Sequence, residues 1–198
     1  MGRPQNIETR EKILAAACGL FHAHGYKAVS MDDVAEAVGI KKANLFHYYP
    51  TKEHLGAAAL DCVTGQLEKK LKGQFAQSGS PAETVKQMFA DASNRMKKQG
   101  CCRGCIIGNL AQELSDHHEK LRRKIADYLQ FWVNEMAGML DRHRRTGYFR
   151  KEMKPRQAAQ AILALLEGSL IFAKANKKVD ALDDAESMAL GYLKSFRK

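Results

Sequence analysis

Nowhere in these 198 residues is there an apolar run of the length a bilayer requires. The most apolar stretch, residues 161–173, falls short of a span and carries Glu167 and Gly168. The opening MGRPQNIETR has no apolar h-region, so no secretory signal is expected. Asn6 stands where a myristoylation motif wants Ser or Thr. Equally missing are a nucleophile elbow, a phosphate-binding glycine loop and a carboxylate pair at motif spacing, so an enzyme is not expected. No strand pattern, internal repeat or low-complexity tract stands out. The five cysteines (Cys18, Cys62, Cys101, Cys102 and Cys105) are an odd number without an export signal, which suits reduced thiols and a cytoplasmic location.

What is present is ordinary in amount and unusual in arrangement. Apolar content of 45% and charged content of 27% describe a globular chain. The formal charge of +10 suits a polyanionic partner, nucleic acid foremost. That charge is not concentrated at the amino end. There Arg3, Arg10, Lys12, Lys27, Lys41, Lys42 and Lys52 nearly balance Glu8, Glu11, Asp32, Asp33, Glu36 and Glu53. Basic clusters elsewhere, such as Arg122-Arg-Lys124 and residues 142–145, leave a second reading open: a non-specific binder of nucleic acid or of a membrane surface.

Helical periodicity accounts for the whole chain. Ile13, Leu14, Ala17, Leu20 and Phe21 form one face of a helix over 8–24, capped by Asn6 or Thr9 and ended by Gly25. Ser30 caps a second helix, whose first turn holds Asp32 and Asp33 where its dipole favours acids. Gly39 supplies a turn with Ile40 at the junction, and a short third helix runs from Lys42 until Pro50 stops it. Two helices joined through such a turn form a helix-turn-helix, whose second helix enters the DNA major groove. Lys41, Lys42, Asn44, His47 and Tyr48 lie on its outward face, while Phe46 and Tyr49 are expected in the core. Thr51 opens a fourth helix whose apolar face is Leu55, Ala58, Ala59, Cys62 and Val63. The loop Gln77-Ser-Gly-Ser-Pro81 precedes helices expected over 82–98, 104–116, 118–145, 155–175 and 181–196. The cleanest stripe is Leu121, Ile125, Tyr128, Trp132, Met136 and Met139. Residues 158–173 are apolar on more than one face, which calls for two packing partners and points to a homodimer.

The phrases LFHAHGY, SMDDVAEAVGI and KKANLFHYYPTKEHL resemble the TetR family of transcriptional regulators over residues 8–60. The resemblance implies an all-α fold of about nine helices. A helix-turn-helix DNA-binding domain would cover 1–52, helix four would connect over 52–75, and an effector-binding and dimerisation domain would fill 53–198. It implies a repressor that binds a palindromic double-stranded operator as a dimer and is released by a small-molecule effector. Ser30 and Lys52 match phosphate-clamping positions, and Lys41, Lys42, Ala43, Asn44, His47 and Tyr48 fall on the recognition helix. Ala43 and Tyr48 depart from the Gly and His common in the family. Gly2-Arg3-Pro4 resembles a minor-groove arm, or is a plain tail.

Helices five to seven would then frame an effector pocket, with Met88, Phe89, Met96, Cys105, Asn109, Phe131, Trp132 and Met136 as wall candidates. Cys101-Cys-Arg-Gly-Cys105 is the second unusual feature. Some family members similar over GCIIGNLAQELSD answer reactive electrophiles through a cysteine, and Cys105 matches that position. The alternative is that Cys105 is a small apolar wall residue with Cys101 and Cys102 incidental. Cys102-x-x-Cys105 with His117 and His118 resembles zinc ligation only loosely, because adjacent histidines do not share a helix face; no metal and no cofactor are expected.

Overall fold

The computed structural model describes residues 6–76 and 79–198. The Gly2-Arg3-Pro4 arm, and Gln77 and Ser78 of the expected loop, lie outside the described residues. Among the described residues nine helices follow one another: α1 (Ile7–His24), α2 (Met31–Val38), α3 (Lys42–Tyr48), α4 (Lys52–Ala76), α5 (Pro81–Lys98), α6 (Ile106–Leu114), α7 (Glu119–Arg145), α8 (Pro155–Asn176) and α9 (Asp180–Ser195). The only β-type pairing among these residues is an isolated bridge between Phe149 and Arg197.

By packing, the chain divides into two compact units. The first holds residues up to Leu67 and Ile106–Tyr128. Its helices start and stop where local chemistry satisfies their exposed backbone groups. Asn6 Oδ1 accepts the Glu8 N–H at 2.9 Å to open α1, and Ser30 Oγ accepts the Asp33 N–H at 3.1 Å to open α2. Asp33 returns the favour by accepting the Ser30 N–H at 2.7 Å, which completes a capping box. Gly39, in the left-handed conformation at φ 73°, ends α2 and turns the chain toward α3. Ile13, Ala17 and Phe21 of α1 bury one face, and Val34, Leu45, Leu55, Ile107, Leu114, Leu121 and Ile125 complete this core.

The second unit holds Glu68–Cys105 and Leu129–Lys198, in which α5, α8 and α9 pack on one another. Its α5 also opens on a capping box, Ser80 with Glu83, around Pro81. The S-P-A-E at 80–83 is the local sequence signal for this cap. Trp132, Met136 and Met139 of the expected stripe are buried, and Trp132 stacks edge-on against Phe75 with ring centroids 6.0 Å apart.

Three expectations need correction. Phe46 is 38% exposed, not core. On so short a helix Leu45 and Tyr49 share the inward face, and Phe46 is rotated about 100° away from it. Helix α6 starts at Ile106 and not at 104, because Gly104 has φ 69°, which no right-handed helix includes; Cys105 therefore precedes the helix. Finally, α8 as a whole, 22 residues, is long and apolar enough to cross a membrane by length and composition. Here Ala158, Ala159, Ile162, Leu166, Leu170 and Ala173 instead bury one side of it within the protein.

Candidate nucleic-acid interface

Helix α3 is short and buries little beyond Leu45. Lys41, Lys42, Ala43, Asn44 and His47 are exposed, and Tyr48 is half-buried. The polar face named from the sequence is therefore presented to solvent as a unit. Not every side chain on it is uncommitted. Lys42 Nζ pairs with Asp32 of α2 at 2.7 Å, with both groups more than half exposed. Such a pair contributes roughly 0–1 kcal/mol and exchanges readily for a phosphate. Tyr48 Oη accepts the Asn6 N–H at 3.2 Å, and its ring meets His47 edge-on at 5.8 Å. Tyr49 is the buried member, and its hydroxyl accepts from Arg10 Nε at 3.3 Å.

Ser30 and Lys52 flank this helix differently. Ser30 is held by its capping box, and the hydrogen bonds from the Ser30 backbone and side chain keep the Asp33 carboxyl below its usual range. A carboxyl lowered by folding stabilises the fold above its unfolded value and loses that contribution as pH falls through the lowered one. We expect Ser30→Ala to cost about 1 kcal/mol, from the lost cap. It should also blunt the acid limb of a pH-stability profile followed by circular dichroism, because Asp33 then titrates nearer its ordinary value. Lys52 lies with Nζ 4.5 Å from the Tyr26 ring centroid and donates to the Lys27 carbonyl at 3.2 Å. Burial pushes the Lys52 ammonium down, opposed by Glu113 and then Asp33.

Glu113 is the residue that sequence reading missed. From α6 its carboxylate accepts the Tyr26 N–H at 2.8 Å and the Lys27 N–H at 2.5 Å. These amides follow the end of α1, where Gly25 has φ 83° and a Cβ would stand 2.9 Å from Glu113 Oε2. Only glycine allows the carboxylate that close. A chain separation of 87 residues hides the pairing from any local pattern. Burial pushes the Tyr26 hydroxyl up to about 12, with Glu53 and Glu113 acting the same way. The Tyr26 ring also meets His118 edge-on at 5.3 Å.

The basic clusters behind the rival reading are offset in part by three carboxylates. Arg122 and Arg123 pair with Glu119, Lys124 with Asp61, and Arg144 and Arg145 with Asp141.

The effector-wall candidates separate. Met88, Phe89, Met96, Trp132 and Met136 are buried in the second unit, Phe131 and Cys105 are half-buried there, and Asn109 belongs to the first unit. Within the first unit an apolar crevice lined by Cys18, Phe21, Leu60, Leu110 and Leu121 has about 10 Å³ of free volume, room for a single water. In the cysteine cluster Cys101 is buried, Cys102 exposed and Cys105 intermediate. Lys177 Nζ donates to the Cys101 carbonyl at 3.4 Å and lies 3.8 Å from Cys102 Sγ. Cys105 hydrogen-bonds to Glu167, whose carboxyl is pushed up by burial, against the lowering influence of that bond and of Arg95. Among the described residues no group of three or more His, Cys, Asp or Glu is placed to hold a metal.

A three-helix head exposing a short polar helix, followed by a long-helix body, defines a helix-turn-helix regulator. The model for bacterial regulatory proteins of the tetR family matches residues 13–59, and the model for a tetracyclin repressor-like C-terminal domain matches 81–189. The chain belongs to the TetR family of transcriptional regulators. It is 23% identical to the transcriptional regulator AcuR of Cereibacter sphaeroides, over 91% of this chain and 83% of that protein. It is 22% identical to the transcriptional repressor NemR of Escherichia coli, over 93% and 94%. In fold it is similar to the reduced form of E. coli NemR, with a TM-score of 0.82 over 96% of this chain and 97% of that one at 21% identity. A TetR regulator from Chloroflexus aurantiacus gives 0.85 over 96% of both chains at 23% identity.

Proposed function

We propose that this regulator is a repressor that binds a palindromic operator as a homodimer and leaves it when an effector, or an electrophile that modifies a thiol, acts on the body. The observation that carries the DNA reading is α3, which exposes Lys41, Lys42, Ala43, Asn44 and His47 together while Leu45 anchors it. Polar side chains on such a helix, Tyr48 among them, read base edges, and Ser30 and Lys52 beside it set register on phosphates. Residues 1–52 form the reading head in this account, and 53–198 the effector and dimer part. The work of such a regulator is done on DNA in the cytoplasm.

The second face of α8 supports the dimer. Ala161, Leu165, Gly168 and Phe172 recur at helical spacing on a second face, about 110° round from the buried one. Phe172 is 63% exposed and Ile171 52%, with Met188 of α9 at 64%. Large apolar side chains left this open favour a matching surface on a second copy. Dimerisation places two α3 helices for half-sites about 34–36 Å apart.

For release, Cys105 is the proposed sensor, with Met88, Phe89, Phe131 and Trp132 of the same unit as the neighbourhood of an effector. A half-buried Glu167 beside the thiol supplies a proton acceptor for its addition to an electrophile. The repressor named NemR, solved in a form described as reduced, is a relative consistent with thiol chemistry. The test is operator release measured by fluorescence anisotropy against a panel of unsaturated carbonyls. Cys105→Ser should need at least about tenfold more electrophile, an energy difference near 1.4 kcal/mol. Unchanged release would remove Cys105 from the mechanism.

A further inference from the structure

The thiols of Cys18 on α1 and Cys62 on α4 lie together in the first unit. Cys18 Sγ is 3.6 Å from the Ala59 carbonyl, which is almost one helical turn before Cys62 on the same helix. The two thiols are themselves hydrogen-bonded, and Gln66 Nε2 donates to Cys62 Sγ from the next turn of α4 at 3.5 Å. Cys62 Sγ thus sits between the Gln66 amide and the Cys18 thiol. Burial first, then Cys62, pushes the Cys18 thiol up to about 12. Both residues are of intermediate burial.

We propose that Cys62 and Cys18 are a hydroperoxide-reactive pair that closes to a disulfide joining α1 to α4. The Cys62 thiolate attacks one oxygen of the peroxide, the O–O bond breaks, and the leaving hydroxide or alkoxide takes a proton to become water or alcohol. Cys62 is then a sulfenic acid. The Cys18 sulfur attacks that sulfur, the S–O bond breaks, and the hydroxyl leaves as water with the Cys18 proton. Two thiols are oxidised, one peroxide is reduced, and atoms balance. The site stands independently of the operator reading and of Cys105.

Hydrogen peroxide is the probe, and tryptic mapping under non-reducing conditions after alkylation is the readout. Trypsin places Cys18 in peptide 13–27, Cys62 in 53–69 and the other cysteines in separate fragments. The expected product links 13–27 to 53–69 within one chain, and persists when Cys101, Cys102 and Cys105 are all changed to Ser. The cross-linked protein should melt about 5 °C or more above the reduced one, reversibly with dithiothreitol, since a disulfide restrains the unfolded chain. In Cys18→Ser, Cys62 should stop as a sulfenic acid that dimedone traps; in Cys62→Ser, Cys18 should stay reduced. A melting curve of each variant separates chemistry from misfolding. The proposal is overturned if both thiols survive peroxide that oxidises Cys102, if Cys62 links instead to the 101–105 cluster or to a second chain, or if Cys18→Ser and the intact protein accumulate the same sulfenate.

Discussion

Changing Lys42 and His47 together to Ala should reduce operator affinity by at least about 100-fold, to near the level for random DNA. Each base or phosphate contact of this kind is worth roughly 1–3 kcal/mol, and a dimer loses each twice. The fold should survive, because both side chains are exposed and the Lys42–Asp32 pair that is lost is a weak surface one. The checks are anisotropy titrations on operator and scrambled duplexes over a range of salt, with sedimentation to show the dimer intact. An equal loss on both duplexes would favour a non-specific basic binder. A companion change, Asp32→Asn, frees the Lys42 ammonium and should tighten binding modestly at low salt.

Glu113 carries the second large effect. Glu113→Ala leaves the Tyr26 and Lys27 N–H groups without their acceptor, and each unsatisfied donor costs about 1–3 kcal/mol where it stays shielded from water. Lys52, whose charge Glu113 favours, loses that support at a proposed phosphate contact. We expect operator affinity to fall about tenfold or more while helical content is retained. Amide exchange at Tyr26 and Lys27 should accelerate ahead of exchange in α1 and α2. Glu113→Gln keeps one carbonyl acceptor without the charge and should fall between the two. Full affinity and unchanged exchange in Glu113→Ala would reduce this carboxylate to a surface detail.

Much of the reading head was legible because its signals are local. Ser30 with Asp33 three residues on, a glycine at 39 and a proline at 50 each act within one helical turn, so adjacent residues suffice to place α2, the turn and α3. The long stripe of α7 was legible for the same reason, since a buried face repeats along one helix. Phe46 shows where that reasoning stops: hydrophobicity says a ring prefers burial, but the face it occupies depends on which side of α3 meets α2. The effector wall stopped at the same place. Its apolar members were recognisable as core, yet their division between two units, with Asn109 in the first and Met88, Phe89 and Trp132 in the second, is a matter of packing.

The sequence by itself determined the helices, their caps and the polar face of α3, because those depend on interactions between neighbours in the chain. Tertiary structure alone decided that Glu113 holds the amides after Gly25, that Asp32 pairs with Lys42, and that Cys18 meets Cys62. Each of those pairings joins different helices, and the free energy that brings them together comes from burying faces that carry no record of which partner they will meet.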